Sequence, residues 1–341
     1  MAELKNRRWL LAMRPEGIVK ESDFRWSETG VPPLKDGQML VRNLVLSFDP
    51  TQRGWMSMDT YMPAIPLGQV MRALAVGQVV ESRKPGFVKD DLVQGLCGWE
   101  DYTVTDGQGL FSMQKLPAGT DPLLASSVLG LTGLTAYFGT LAVGCPKPGE
   151  TFVVSGAAGA TGSVAGMIAK IKGCRVIGIA GGAEKCSWLT KEAGCDAAID
   201  YKHEDVGEAL SRCCPKGIDV YFDNVGGEIL DLVLGRIANG ARVVLCGAIS
   251  QYSEPAGVTS YPPRNYFNLV LRSARMEGFL VLHFAHRYPE AIADLKEWLA
   301  EGKVRNKIDV QHNLENAPRT IIRLFIGANF GKQLLKLADP R

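Results

Sequence analysis

From about residue 150 onward, short and nearly continuous apolar runs alternate with stretches in which apolar positions recur every three or four residues. The runs Thr151–Ser155, Arg175–Ala180, Ala197–Ile199, Ile218–Phe222, Arg242–Gly247 and Met276–Leu282 read as strands. Between them the rhythm is helical: Val164, Met167, Ile168 and Ile171 fall at i, i+3, i+4 and i+7 along one face. A later helical run starts at Pro289 and stops at Gly302, as helices often do. Repeated strand–helix units with apolar strands predict an α/β fold whose parallel sheet is covered on both faces. Six such strands match a complete doubly wound dinucleotide-binding domain.

The first ~120 residues carry a different pattern. Gln38–Ser47, Ala73–Ser82 and Asp91–Cys97 are strand-like, and Gly and Pro punctuate the intervals between them. A compact, mostly β unit is expected there. The tail after Gly302 offers a short strand (Lys307–Val310), a helix (Asn316–Ile326) and a final strand (Lys332–Leu337). It does not extend the alternating array, so it is expected to return to the first unit. The organisation read from the chain is 1–122 with 303–341, and 123–302.

A length of 341 residues favours two domains. The balance of 38 basic and 36 acidic residues, without a basic run, gives no footing for nucleic acid or an anionic membrane. Pro122–Pro146 is uncharged and long enough to span a bilayer, but its serines, threonines and glycines fit a helix packed inside a soluble protein better. No secretory signal is read at the start, so a cytoplasmic location is expected. The eight cysteines contain no Cys-x-x-Cys pair, which argues against a spaced-cysteine zinc site and a disulfide framework.

The first predicted strand runs into Gly156-Ala-Ala-Gly159-Ala-Thr-Gly162 and then directly into a helix. Such a turn lets backbone N–H groups approach a pyrophosphate, whose charge the helix N-terminus favours. The spacing alone also fits other α/β turns; its surroundings add weight. After the second strand, where an acidic residue would bind an NAD ribose hydroxyl, the chain has Gly181 and Gly182, followed by Glu184 and Lys185. Glycine does not repel a 2′-phosphate and Lys185 pairs with one, so NADP(H) is favoured over NAD. The alternative makes Lys185 a solvated lysine and Glu184 the acidic residue. Tyr201 and Lys202, after the third strand, lie at the same sheet edge. Asp223–Gly227 and Cys246–Tyr252 follow the fourth and fifth strands, at the carboxyl ends where open α/β sheets bind ligands.

Gly159–Gly162, Lys172–Val176, Asp223–Gly227, Cys246–Tyr252 and Asn329–Lys332, in this order along nearly the whole chain, resemble the medium-chain dehydrogenase/reductase superfamily. Within it they are similar to the zinc-free double-bond reductases that act on leukotrienes, prostaglandins, alkenals and curcumin. The resemblance implies a GroES-like β domain, a Rossmann domain, NADP(H) and usually a homodimer. It also implies cofactor contacts from Gly159, Ala160, Thr161 and Gly162 to the pyrophosphate, and from Lys185 and Tyr201 to the 2′-phosphate. Asn224, Cys246, Gly247, Ala248, Ile249, Ser250 and Tyr252 would line the ribose and nicotinamide, Phe279, Leu280 and Val281 the carboxamide, and Asn329 would reach in from the C-terminal segment.

Zinc members of the superfamily carry a Gly-His-Glu motif where this chain reads Pro66-Leu-Gly-Gln-Val-Met-Arg72, and all four histidines lie outside the first unit. No metal is therefore expected, and His283 reads as a cleft residue or a packed one. Hydride addition to the β-carbon of an α,β-unsaturated ketone or aldehyde needs no metal. Tyr252 is the candidate catalytic residue, as a donor to the developing enolate, with plain packing as the other reading. Relatives commonly carry Asp-Pro-Tyr-Met-Arg-Gly; here Asp49–Gly54 has Thr51 in place of the tyrosine. Tyr61, Met62, Arg53 and Trp55 are the candidate substrate residues, with Tyr102 and Tyr137 further possible walls. Two rival functions stay open: a zinc-free NADPH quinone reductase, and an NADPH-binding sensor with little turnover.

Overall fold

A computed structural model describes residues 4–254 and 261–341. The chain divides into two compact units, 1–126 with 309–329 and 333–341, and 127–308 with 330–332.

The first unit opens with the antiparallel pair β1 (Lys5–Leu11) and β2 (Phe24–Gly30). Its main sheet contains β3 (Met39–Ser47), β4 (Arg72–Ser82), β5 (Leu92–Gly98), β6 (Tyr102–Thr105) and β7 (Gln114–Lys115), with the short helices α1 (Thr51–Trp55) and α2 (Pro122–Ala125) between or after them. Strand β3 is buried on both faces for nearly its whole length, which follows from its run Met39-Leu-Val-Arg-Asn-Leu-Val-Leu. Its core partners include Phe48, Trp55 and Trp99. Each such side chain removed from water is worth roughly 1.5–3 kcal/mol.

The second unit begins with α3 (Leu131–Phe138), which continues through a wide turn at Gly139–Gly144. The uncharged stretch 122–146 is thus broken into short pieces, and among the described residues no helix is long and apolar enough to cross a membrane. Then come β8 (Thr151–Ser155), α4 (Ala160–Ile171), β9 (Arg175–Ala180), α5 (Ala183–Lys191), β10 (Ala197–Asp200), α6 (Val206–Cys213), β11 (Ile218–Asp223), α7 (Gly227–Leu234), β12 (Ile237–Leu245), α8 (Asn268–Leu271), β13 (Arg275–Gly278) and α9 (Tyr288–Ala300). The strands form one parallel sheet in the order β10-β9-β8-β11-β12-β13, the doubly wound arrangement the pattern predicts. Helix α4 is buried well beyond its predicted stripe, because Ala165, Gly166 and Ala169 let neighbours close around it. Strand β13 stops at Gly278, four residues short of the expected run. The chain turns there into a short 3₁₀ helix, Val281–Arg287, where Phe284 stacks on Phe138 at 4.7 Å.

The tail forms β14 (Ile308–His312), α10 (Ala317–Phe325) and β15 (Lys332–Lys336). Strand β15 pairs antiparallel with β3.

Candidate cofactor and active site

The glycine turn after β8 is held by its own backbone. Gly156 has φ +58°, and its carbonyl accepts from the Gly159 N–H at 2.9 Å. Gly159 then caps α4, whose free N-terminal amides face whatever lies before the helix. A Cβ at Gly162 would stand 2.4 Å from the Gly156 carbonyl oxygen, so only glycine lets the helix sit this close to the turn. The segment Phe330–Lys332 belongs to this unit and pairs with the turn. Gly331 N–H donates to Ala158 O at 2.9 Å, and Gly331 bridges Gly159. Asn329, expected at the cofactor from the C-terminal segment, directly precedes it.

Beside this turn, β9 ends at Ala180 and α5 starts at Ala183. Lys185 lies in the first turn of α5. Tyr201 follows β10 and is exposed, and its ring lies over Gly181: a Cβ there would come 2.8 Å from the ring. Lys185, Tyr201 and Lys202 therefore gather around two glycines. An aspartate that the sequence reading passed over, Asp200, ties these pieces together: it accepts from the N–H groups of Gly182 (2.8 Å) and Lys202 (3.1 Å).

The third group of residues is assembled around Asp223, which is fully buried. Its Oδ1 accepts from Ser155 Oγ (2.9 Å), Tyr221 Oη (2.8 Å) and the N–H groups of Val225 and Gly226 (3.0 Å each). Its carbonyl accepts from Cys246 and Gly247 N–H. Ser155 Oγ in turn accepts from Asn224 N–H, and Asn224 Nδ2 donates to Ser155 O at 2.8 Å. Ile249 N–H reaches Asn224 O, and Ser250 Oγ reaches Val225 O at 2.6 Å. The loops after β8, β11 and β12 are thereby one hydrogen-bonded body. Ser155 was missed in the sequence because it sits inside a strand end; its signal was a polar residue closing an apolar run, while Asp223 was read as part of the Asp223–Gly227 motif without its role as the hub. Burial raises the Asp223 carboxyl, against which its backbone and hydroxyl donors pull down.

Tyr252 closes this body. Its phenol oxygen accepts from Ala248 N–H at 3.1 Å. Burial, partly opposed by that bond, raises its pKa above the ordinary value. The Cys246 thiol is pushed up to about 12 by burial and by the charge of Asp223, so it is inert near neutrality. A cavity of about 350 Å³ opens beside the loop, lined by Asp223, Gly226, Cys246, Gly247, Gln251 and Tyr252. The Phe279 ring turns inward against Gly139 and Phe284, which leaves the 279–281 backbone, with Leu280 exposed and Val281 buried. His283 is exposed. Tyr137 is buried, stacked on Trp298 and bonded to Asp294 at 2.6 Å.

In the first unit, Tyr61 Oη and Thr51 Oγ1 share a hydrogen bond of 2.7 Å, and the Tyr61 ring stands edge-on to Trp55 and Phe111. Met62 is buried behind it. Arg53 is buried; its guanidinium donates to Ser57 Oγ and to the carbonyls of Pro15 (2.9 Å) and Gly17 (3.2 Å). Among the described residues no three His, Cys, Asp or Glu side chains converge as a metal set. All eight cysteines are free thiols.

Residues 7–113 match the family described as the N-terminal domain of oxidoreductase, and residues 160–297 the family described as zinc-binding dehydrogenase. The chain is 40% identical to the NADPH-dependent curcumin reductase of Escherichia coli over 98% of its length and 97% of the relative's. The chain belongs to the double-bond reductases of the medium-chain dehydrogenase/reductase superfamily. It is also 39% identical to the NADP-dependent 2-alkenal reductase of Nicotiana tabacum, covering 98% of each chain. The crystal structure of CurA from Vibrio vulnificus in complex with NADPH superposes with a TM-score of 0.90 at 40% identity, over 98% of this chain and all of the other. For this reductase chain the cofactor is NADP(H), and the three clusters in the second unit fit it: an amide-lined turn, a lysine and tyrosine around two glycines, and a rigid loop pair.

Proposed function

We propose that this protein reduces the carbon–carbon double bond of α,β-unsaturated ketones and aldehydes with NADPH. The observation that carries the reading is the Tyr252 phenol, fixed by Ala248 N–H at 3.1 Å beside the cavity that Asp223, Cys246 and Gly247 also line. Bound NADPH supplies the hydride. The turn Gly159–Gly162 and the α4 N-terminus hold the pyrophosphate, Lys185 and Tyr201 the 2′-phosphate, and Asn224 with Cys246–Tyr252 the ribose and nicotinamide. Phe279, Leu280 and Val281 present backbone to the carboxamide, and Asn329 adds a contact from the C-terminal segment.

When the substrate β-carbon takes the hydride, its π electrons move toward the carbonyl and charge collects on the carbonyl oxygen. Tyr252 Oη–H donates to that oxygen, which is where a preorganised donor lowers the barrier most. The α-carbon then takes a proton from Tyr252 or water, which leaves the saturated carbonyl compound. We read the reaction as metal-free, on the missing Gly-His-Glu motif at Pro66–Arg72. Tyr61, with Trp55, Phe111 and Met62, supplies an apolar wall of the kind an enone needs, replacing the ring absent at Thr51. Arg53 supports it by fastening the Pro15–Gly17 segment.

We also read the protein as a homodimer. Strand β13 is an edge strand, and Tyr266, Phe267, Val270 and Leu271 beside it are all more than half exposed. Eight free thiols suit a reducing cytoplasm. An NADPH-absorbance assay over linear enones, enals and benzoquinones tests the function. Enone turnover is expected; quinone turnover without it would overturn the reading.

A further inference from the structure

Three oxygens and nitrogens of Asp200 do more than end β10. The carboxylate Oδ1 accepts from Gly182 N–H at 2.8 Å and from Lys202 N–H at 3.1 Å, and Oδ2 is 2.8 Å from His203 Nδ1. The Asp200 N–H donates to Glu204 Oε1 at 2.8 Å. Two turns that are about twenty residues apart in sequence therefore converge on one carboxylate that is only 15% exposed.

Each of these turns needs that anchor. Gly182 has φ +99°, a conformation side chains rarely adopt, and it caps the nine-residue α5 that carries Lys185. On the other turn Tyr201 and Lys202 bend back over Gly181, whose missing Cβ would lie 2.8 Å from the Tyr201 ring and 2.9 Å from Lys202 Cε. The strand pairing brings the two turns together, with Tyr201 N–H donating to Ala180 O at 3.1 Å, and the Asp200 side chain carries that tie on to Gly182 and Lys202. A carboxylate beside a phosphate site is unfavourable by charge alone, but here both oxygens are engaged by donors, so its charge is largely answered within the turn.

We infer that Asp200 is the positioning residue of the 2′-phosphate cradle: by holding Gly182 and Lys202 it sets Lys185, Tyr201 and Lys202 at one spacing, and so acts on cofactor choice without touching the reaction. The inference rests on the NADP(H) reading of this site.

The test is equilibrium binding, read by the change in nicotinamide fluorescence when NADPH or NADH is titrated into the full-length protein. Asp200→Ala removes all three acceptor bonds, and its NADPH dissociation constant is expected to rise on the order of tenfold while that for NADH stays within about twofold. Asp200→Asn keeps an oxygen for Gly182 and Lys202 and is expected to recover most of the lost affinity. Equal weakening of both cofactors, unchanged NADPH binding, tighter NADPH binding, or an Asn variant as weak as Ala would each overturn the positioning role. If Asp200→Ala does not fold, the Asn variant alone decides, because near wild-type NADPH selectivity is required of it. Lys185→Ala separates the two levels. A selective NADPH loss there with none at Asp200 sinks this inference only, whereas a wild-type protein that does not prefer NADPH over NADH sinks the NADP(H) reading itself.

Discussion

The phenol oxygen of Tyr252 accepts the backbone N–H of Ala248 at 3.1 Å, so the residue's own loop fixes a half-buried hydroxyl whose pKa burial raises. Because the bond is accepted and not donated, the phenol proton stays available. Replacing Tyr252 with Phe leaves the loop's other bonds in place and removes that proton. The expected result is a fall in kcat/KM for an enone of roughly a hundredfold, in the range of a lost oxyanion donor. Steady-state rates beside an NADPH binding titration check it, and the binding constant should change little.

The glycine turn and Lys185 make separable demands. Gly162→Ala places a Cβ 2.4 Å from a backbone carbonyl that cannot swing away. It should weaken NADPH and NADH together, since both share the pyrophosphate. Lys185→Ala should raise KM for NADPH by about tenfold or more and leave NADH nearly unmoved. Parallel kinetics with the two cofactors distinguish these patterns.

Much of this was legible beforehand, for reasons visible in particular residues. Parallel strands buried on both faces must be apolar throughout, so β8, β9 and β11 announced themselves; β13, an exposed edge strand, did not show its true end. The turn at 156–162 was legible because positive φ and close packing leave few residue choices. The Gly331–Ala158 pairing was not, because nothing local marks a contact across some 170 residues. Asp200 was hidden for a different reason. An aspartate closing a strand reads as an ordinary turn residue until its acceptor bonds to distant amides are seen.

Glu150 and Arg242 lock β8 to β12 and give an acid-stability prediction. Burial alone would raise the Glu150 carboxyl, but the Arg242 guanidinium and the Lys147 N–H outweigh it and hold the group below the ordinary carboxylate range. A depressed folded-state pKa adds stability that is complete above the unfolded value, about 4.3, and is lost as pH falls through the folded value. Glu150→Gln should therefore lower the melting temperature near neutrality and flatten its decline on the acid side. Thermal melts from pH 7 down to about pH 3, across the ordinary carboxylate range, would show this; an unchanged acid slope would mean that the pair adds nothing.

The central claim, hydride delivery to a conjugated carbon, is tested most directly by where the hydride lands. The enzyme is given NADPH deuterated at both C4 positions and a linear enone, and the product is read by NMR. Deuterium at the β-carbon of the saturated ketone is the predicted result. Deuterium on a carbinol carbon of an allylic alcohol, or no transfer to the enone at all, would contradict it.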